Sequence, residues 1–167
     1  MFLLIPYTRL TIKTHLSVQD AEERLAAKVG KRPFLRWSWP FKSTNEPPFT
    51  GTVTNGRFNI IRNIFYRNSF LPVITGQFHD DLDMTRVEIS MRLHYFVIIF
   101  LSIFLSILTY NSISLFLSPY LSPAGLSFSQ LITSTGSMGL FLYLLTMLPF
   151  NYEAHRAQQE LEKLFPS

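Results

Sequence analysis

The feature that most constrains the fold of this chain is a stretch of sixty residues, 93–152, that contains no Lys, Arg, Asp or Glu. It lies between Arg92 and Glu153 in a chain of 167 residues. A bilayer core about 30 Å thick needs about 20 apolar residues per helix, so the stretch is long enough for two crossings. The alternative is one long buried hairpin in a soluble protein, which we disfavour because no other part of the chain is large enough to cover it. The sequence therefore predicts an integral membrane protein.

Two prolines and a glycine divide the uncharged stretch by marking a turn at 118–125. We expect a two-helix transmembrane hairpin over 93–152, with crossings at about 93–117 and 126–150. After the second crossing, the composition changes to that of a short charged helix at 153–167. The chain is thus predicted to cross the membrane twice and then to end in a short cytoplasmic helix.

The charges that flank the hairpin predict its orientation. Arg92 and Arg156 stand at its two ends, Lys163 follows, and the turn between the helices has no charge. Positively charged flanks are retained in the cytoplasm, so both termini are expected there. Tyr95 and Tyr152 fall where aromatic residues of the inner interface belong. The predicted location is the cell inner membrane or an internal membrane.

Residues 1–92 carry the alternation and turn signals of a cytoplasmic α+β domain, an antiparallel sheet with one N-terminal helix. Ser17 and Asp20 form an approximate capping box at the start of the helix, and Gly30 is expected just after its end. Asn55 and Gly56 predict a type I′ hairpin turn. The predicted strands are 7–15, 35–42, 50–54, 57–66, 70–78 and 85–92.

Small hydroxyl residues at helical spacing predict a packing seam between the two membrane helices. Small side chains let helix backbones approach closely in lipid, where the hydrophobic effect gives helices no attraction for one another. Alternatively, the spacing of these residues arises by chance, because Ser is frequent in this part of the chain. The residues of the two stripes are Ser102, Ser106 and Thr109 on the first helix and Ser129, Thr133 and Ser137 on the second.

A segment that mixes basic and aromatic residues precedes the central hairpin. Beside a membrane, its cations would contribute roughly 1 kcal/mol each near anionic lipid, and its Trp side chains would lie at the headgroup level. The alternative places the Trp side chains in the domain core and the cations in water. We expect no nucleic-acid partner for a membrane-tethered chain. The candidate lipid contacts are Lys31, Arg32, Arg36, Trp37 and Trp39.

Arg62 stands out because unbroken alternation would put it on the apolar face of its strand. A guanidinium there needs a carboxylate, a ligand or a route to the surface. We favour a β-bulge at Ile60 and Ile61 that would return Arg62 to solvent. With Arg57 and Arg67, it could instead form a site for a lipid headgroup or another anion.

Residues suited to catalysis or cofactor binding do not form a recognisable pattern. The chain has no cysteine, and its four histidines lack the spacing of metal ligands. The acidic turn from His79 to Asp83 lacks the Gly and the distal Glu of a calcium loop, so we interpret it as a solvated tip. We expect no catalytic residues, no cofactor and no metal.

The central segment resembles an uncharacterised family of small bacterial two-pass membrane proteins with an N-terminal β-rich domain. The resemblance covers roughly residues 49–165, and its most specific part is Tyr-Arg-Asn-Ser-Phe at 66–70. It implies the same architecture and supplies no mechanism. The residues that carry it are Phe49-x-Gly51-x-Val53 and Phe58-x-Ile60-x-Arg62-x-Ile64-x-Tyr66-Arg67-Asn68-Ser69-Phe70-x-Pro72-x-Ile74-x-Gly76.

These observations together predict a non-enzymatic membrane protein, an adaptor or accessory subunit of a larger membrane complex. Its sheet and its helical hairpin would provide the contacts, with membrane lipids and a membrane-protein partner or a second copy as binding partners. The alternative is a membrane-anchored domain that binds a lipid headgroup or a small anion through Arg57, Arg62 and Arg67.

Overall fold

A computed structural model describes residues 4–30, 47–64, 66, 68–117 and 128–166. Over these ranges the fold is α+β, with a six-stranded mixed sheet and three helices. The elements are β1 (Tyr7–Thr14), α1 (Val18–Ala27), β2 (Val29–Gly30), β3 (Phe49–Thr54), β4 (Arg57–Arg62), β5 (Val73–Asp81), β6 (Met84–Arg92), α2 (Tyr95–Leu117) and α3 (Phe128–Leu164).

The strands lie in the order β1-β6-β5-β4-β3-β2. All neighbours are antiparallel except β2 and β3, which run parallel, so the predicted purely antiparallel sheet is wrong in this one pair. The difference lies in β2, the short strand that contains Gly30. This glycine does not follow the helix as a cap, because α1 ends at Ala27 with Lys28 as its C-cap, and Gly30 pairs with Thr50 in the sheet.

The predicted helix cap at the start of α1 and the predicted turn of the central hairpin are both formed. The backbone N–H of Asp20 donates to Ser17 Oγ at 3.1 Å, which satisfies one of the free donors of the first helical turn. Asn55 and Gly56 both have positive φ, 53° and 71°, as a type I′ turn requires. β4 ends at Arg62, earlier than predicted: the N–H of Asn63 still donates to the Pro48 carbonyl at 2.7 Å in the register of β3, but Pro48 has no N–H to return the bond.

One face of the sheet, the covered face, packs against α1 and the C-terminal part of α3. The strands contribute apolar side chains that alternate along each strand, including Phe58, Ile60, Ile74, Val87, Ile89 and Met91. The helices contribute Ala21, Leu25, Ala154, Ala157, Leu161 and Phe165. Burial of these side chains is the main stabilising term for the domain.

Helix α3 is continuous where the sequence predicted an end near Asn151. Pro149 lies inside it, and its 37 residues extend about 55 Å. The last third, which was predicted as a separate C-terminal helix, is therefore an extension of the uncharged helix. The apolar face of this last third packs on the sheet. A single helix therefore connects the uncharged segment to the sheet domain, with no loop between them.

Among the described residues, one helical stretch, Tyr95–Ser114, has the length and the apolar composition to cross a membrane, and none of it is buried. Large apolar side chains such as Phe96, Ile99 and Ile103 are exposed along it. Helix α2 also contacts α3, and the hydroxyl groups of Ser112 and Thr135 lie 2.6 Å apart.

Candidate functional site

Arg62 faces the helices, on the same side of β4 as Phe58 and Ile60. The pairing of β4 with β3 is continuous as far as Arg62, and its pairing with β5 is continuous as far as Ile61. The bulge that the sequence led us to favour is therefore not formed. The alternation is unbroken because distant carboxylates offset the cost of burying the guanidinium.

Four side chains form what we call the arginine cluster: Arg62, Tyr66, Glu153 and Glu160. Arg62 Nη1 donates to Glu153 Oε2 at 2.6 Å, and its Nη2 and Nε donate to Glu160 Oε1 at 3.2 and 3.3 Å. The Tyr66 hydroxyl donates to the other Glu153 oxygen, Oε1. The two acids are seven residues apart on α3, which is about two helical turns, so they point to the same side.

Burial and charge act in opposite directions on this cluster. Glu153 is fully buried, whereas 12% of the Arg62 side chain is exposed. Burial lowers the pKa of Arg62, but the hydrogen bonds and charges of Glu153 and Glu160 outweigh it and leave the pKa raised. The pKa of Tyr66 is raised to about 12 by burial, by its hydrogen bond to Glu153 and by the charge of that carboxylate.

The cluster is suited to holding α3 on the sheet rather than to binding an anion. Two carboxylates surround the single guanidinium, so a negatively charged ligand would be repelled. Glu153, Glu160 and Tyr66 were not among the predicted site residues. The signal that would have found the two acids is their spacing beside the weakly apolar face of the C-terminal helix, which includes Ala154 and Ala157.

Arg57 lies on the opposite, open face of the sheet, because it is five positions from Arg62 on one strand and successive side chains alternate between faces. The structure therefore does not bring Arg57 and Arg62 into one anion site. Arg57 instead lines a shallow sheet groove of about 420 Å³. Its lining residues are Arg9, Thr52, Thr54, Arg57, Phe58, Asn59, Thr75, Gly76, Gln77, Glu88, Ile89 and Ser90.

The sheet groove is lined mainly by polar side chains and has an arginine at each of its two sides, Arg9 and Arg57. Thr75 and Ser90 share a hydroxyl hydrogen bond at 2.9 Å near its centre. Among the described residues, no carboxylate lies within ion-pair distance of Arg9 or Arg57. The carboxylate of Glu88 is 3.9 Å from both His79 and Arg86, so part of its charge is already compensated.

A second cavity, the junction pocket, lies where the uncharged part of α3 meets the sheet domain. Its volume is about 410 Å³. One wall comes from the connection between β4 and β5 and the other from α3. The lining residues are Tyr66, Asn68, Ser69, Phe70, Leu145, Pro149 and Tyr152.

The two predicted stripes of small hydroxyl residues do not lie at the contact between α2 and α3. Ser102, Ser106 and Thr109 are exposed, and each hydroxyl donates to a carbonyl of its own helix. Thr133 and Ser137 are exposed on α3, and the side chain of Ser129 is not described. The half-buried side chains of α2 form a different line, Val97, Leu101, Phe104, Leu108 and Ser112.

The remaining predicted contacts fall outside the part of the chain that the structure describes. They are Lys31, Arg32, Arg36, Trp37, Trp39 and Arg67. The predicted strand 35–42 and turn 118–125 lie outside it as well. Within the described ranges, no three acidic or histidine side chains are grouped as metal ligands would be, and at the acidic turn Asp81 pairs with Arg86 at 3.7 Å.

Comparison of the chain with protein-family models, with curated proteins and with solved structures gives no match. Membership of the family of two-pass membrane proteins that the central segment resembles therefore stays a prediction.

Proposed function

We propose that the protein is a non-enzymatic, membrane-anchored adaptor whose sheet groove binds an acidic segment of a partner membrane protein. The observation that carries this proposal is the charge of the open face. Its strands present five cations and two acids, namely Arg9, Lys13, Arg57, Arg86 and Arg92 with Asp81 and Glu88.

The spacing of the free cations fits an extended acidic segment. Arg9 is on β1 and Arg57 on β4, three strand positions apart, so their Cα atoms are on the order of 15 Å apart. Two acidic side chains about four residues apart on an extended chain span a similar distance. The Thr, Asn and Ser side chains between the arginines offer hydrogen bonds to the backbone of such a segment.

The membrane anchor in this proposal is the helix pair formed by α2 and the uncharged part of α3, which would form a two-pass hairpin. Arg92 lies 4.4 Å from the centre of the Tyr95 ring, and Arg156 lies 4.8 Å from that of Tyr152. Arg–Tyr pairs at the charged ends of both helices are typical of a lipid–water interface. The sheet domain and both termini would then be cytoplasmic.

Two measurements test the anchor. We expect the protein to stay in the membrane pellet after carbonate extraction, and its release would overturn the proposed anchor. Because the chain has no cysteine, single substitutions report topology cleanly. Gln19→Cys, on α1, should react with an impermeant maleimide only in opened cells, and Ser122→Cys, in the predicted turn, should react in intact cells.

The partner is tested by affinity purification of the full chain in a mild detergent. The variant Arg9→Glu/Arg57→Glu reverses the two free charges of the groove and should lose a co-purifying membrane protein. The matched control Arg24→Glu/Lys28→Glu makes the same charge change at two exposed positions, one in α1 and one at its C-cap, and should retain the partner. Equal recovery of the partner by both variants would contradict a role for the groove.

The alternative function, binding of a lipid headgroup or small anion by Arg57, Arg62 and Arg67, has weaker support. Arg57 and Arg62 lie on opposite faces, and Arg62 is already neutralised by two acids. A liposome titration separates this alternative from the adaptor. Binding that requires anionic lipid and is lost in Arg62→Ala, with the fold intact, would favour the anion site.

A further inference from the structure

The junction pocket lies at the boundary between the uncharged and the charged part of α3. Leu145 and Pro149 belong to the uncharged part, and Glu153, four residues after Pro149, is the first charged residue. Under the membrane placement proposed above, on which this inference rests, the pocket opens at the level where acyl chains meet headgroups.

The walls of the pocket change from apolar to polar along α3. Leu145, Pro149 and Phe70 give an apolar floor, and Tyr66, Asn68 and Tyr152 line the polar rim. Asn68 accepts a hydrogen bond from the N–H of Phe70 at 2.9 Å, which fixes its side-chain oxygen. Its amide nitrogen has no partner among the described residues and remains a donor at the rim.

Arg156 supplies a positive charge beside this rim. It stacks on the Tyr152 ring, 4.8 Å from the ring centre, and no carboxylate among the described residues pairs with it. Tyr152, which lines the pocket, therefore holds the guanidinium of Arg156 close to the rim, although Arg156 itself is not a lining residue. This arrangement favours an anion beside Arg156 and Asn68, away from the Tyr66 hydroxyl that donates to the Glu153 carboxylate, and an apolar group on the floor of the pocket.

Pro149 adds a polar group to the apolar side. Because proline has no N–H, it cannot donate the helical hydrogen bond to the carbonyl of Leu145, four residues earlier. The carbonyl therefore lacks its usual helical donor, next to two residues that line the pocket. A ligand with hydroxyl or ammonium donors next to its apolar chain can satisfy it.

We propose that the junction pocket binds one membrane phospholipid with an anionic headgroup. The phosphate would contact Arg156 and the amide of Asn68, and the first carbons of an acyl chain would lie against Phe70, Leu145 and Pro149. The volume of about 410 Å³ holds a headgroup and the start of a chain, and the rest of the lipid would extend along α3. This site is separate from the sheet groove, so a partner protein and a lipid could bind together.

The test is native mass spectrometry of the full chain in a mild detergent, titrated with dioleoyl phosphatidylglycerol or dioleoyl phosphatidylcholine. We expect one phosphatidylglycerol to bind at least tenfold more tightly than phosphatidylcholine. Arg156→Gln should reduce this preference at least fivefold. Ser69→Trp, which fills the rim from an exposed position, should weaken the binding of both lipids.

Lys163→Gln is the matched control, since it removes one positive charge from the exposed side of the same helix. It should leave the preference unchanged. Unaltered lipid binding in Ser69→Trp would overturn the proposed lipid site. So would a loss of preference in Lys163→Gln as large as that in Arg156→Gln. Binding of glycerol phosphate as tight as that of the lipid would show a small-anion site instead. Carbonate extraction reports the membrane anchor independently, so the two proposals fail in different assays.

Discussion

The two faces of one sheet use arginine in opposite ways. On the covered face, Arg62 is paired with Glu153 and Glu160 and binds α3 to the sheet. On the open face, Arg57 of the same strand has no carboxylate partner among the described residues. The comparison teaches that the position of an arginine along a strand decides whether it stabilises the fold or remains available to a partner.

The physical reason is the difference in solvation. A charge on the covered face leaves water and must be compensated inside the protein. A charge on the open face keeps its hydration, contributes little to stability and can exchange water for a ligand. We therefore expect substitutions on the covered face to change stability and those on the open face to change binding.

The largest effect that the comparison predicts is for Glu153→Gln. It weakens the hydrogen bonds that the fully buried Glu153 accepts from Arg62 and Tyr66, while Glu160 still pairs with Arg62. The free energy of unfolding should fall by about 3 kcal/mol, the upper end of the range for hydrogen bonds to charged groups. Chemical unfolding in a mild detergent measures the change. Glu162→Gln, at an exposed position of the same helix, is the control and should change stability by less than about 0.5 kcal/mol.

A double variant sharpens this prediction. In Arg62→Met/Glu153→Met the two most buried charges are replaced by apolar groups, and Glu160, whose side chain is 34% exposed, can stay hydrated, so much of the lost stability should return. If the double variant were as unstable as Glu153→Gln, the loss would come from packing and not from the polar contacts of the cluster.

A second effect on the covered face concerns the close contact of Phe58 with Gly76. A Cβ at position 76 would lie 2.2 Å from the Phe58 ring and 2.6 Å from the Glu88 carbonyl oxygen. Gly76→Ala should therefore cost about 2 kcal/mol, as overpacked core sites do. Gly136→Ala on α3, where a Cβ meets nothing within 4 Å, should cost nothing. Equal thermal stability of the two variants would contradict the close packing.

On the open face, Thr75→Val removes the hydrogen bond between Thr75 and Ser90. The expected loss is about 1 kcal/mol or less, since a single partly exposed hydrogen bond contributes about that much. Arg57→Gln should change stability by less than about 0.5 kcal/mol while weakening capture of the partner. A large loss of stability in Arg57→Gln would break the proposed contrast between the two faces.

The smallest effect is a titration. Tyr66 should ionise near its raised pKa of about 12 instead of 10.0, which the difference in ultraviolet absorbance between wild type and Tyr66→Phe measures. The pKa of Tyr66 is higher in the folded protein than in the unfolded chain. The protonated hydroxyl therefore contributes its full stabilisation below about pH 10, and this stabilisation is lost as the pH rises toward 12. Ionisation near 10 would show that the hydroxyl does not donate to Glu153.

Much of the sheet could be predicted because its signals are local. The Ser17–Asp20 cap, the Asn55–Gly56 turn and the alternation of β6 each depend on neighbouring residues. The parallel pair of β2 and β3 could not be predicted, since it joins Val29 and Gly30 to a strand nineteen or more residues later in the chain. The continuity of α3 through Pro149 depends on packing of its last turns on the sheet.

The arginine cluster could not be predicted either, because it depends on contacts between residues that are distant in sequence. The sequence showed that Arg62 needed compensation, but it offered a bulge, a ligand and a carboxylate as solutions. Its hydrogen bond to Glu153 spans 91 positions along the chain, so no local pattern could select it. The sequence also grouped Arg57 with Arg62, and the unbroken register of β4 separates them.

By itself, the sequence determined the uncharged stretch of sixty residues and the local backbone signals of the sheet. These follow from composition and from short-range sterics, which neighbouring residues fix. Only the tertiary structure decided which face of the sheet is covered, which arginine is neutralised and where the junction pocket lies. Those outcomes depend on packing distant surfaces so that apolar groups leave water and every buried charge acquires a partner.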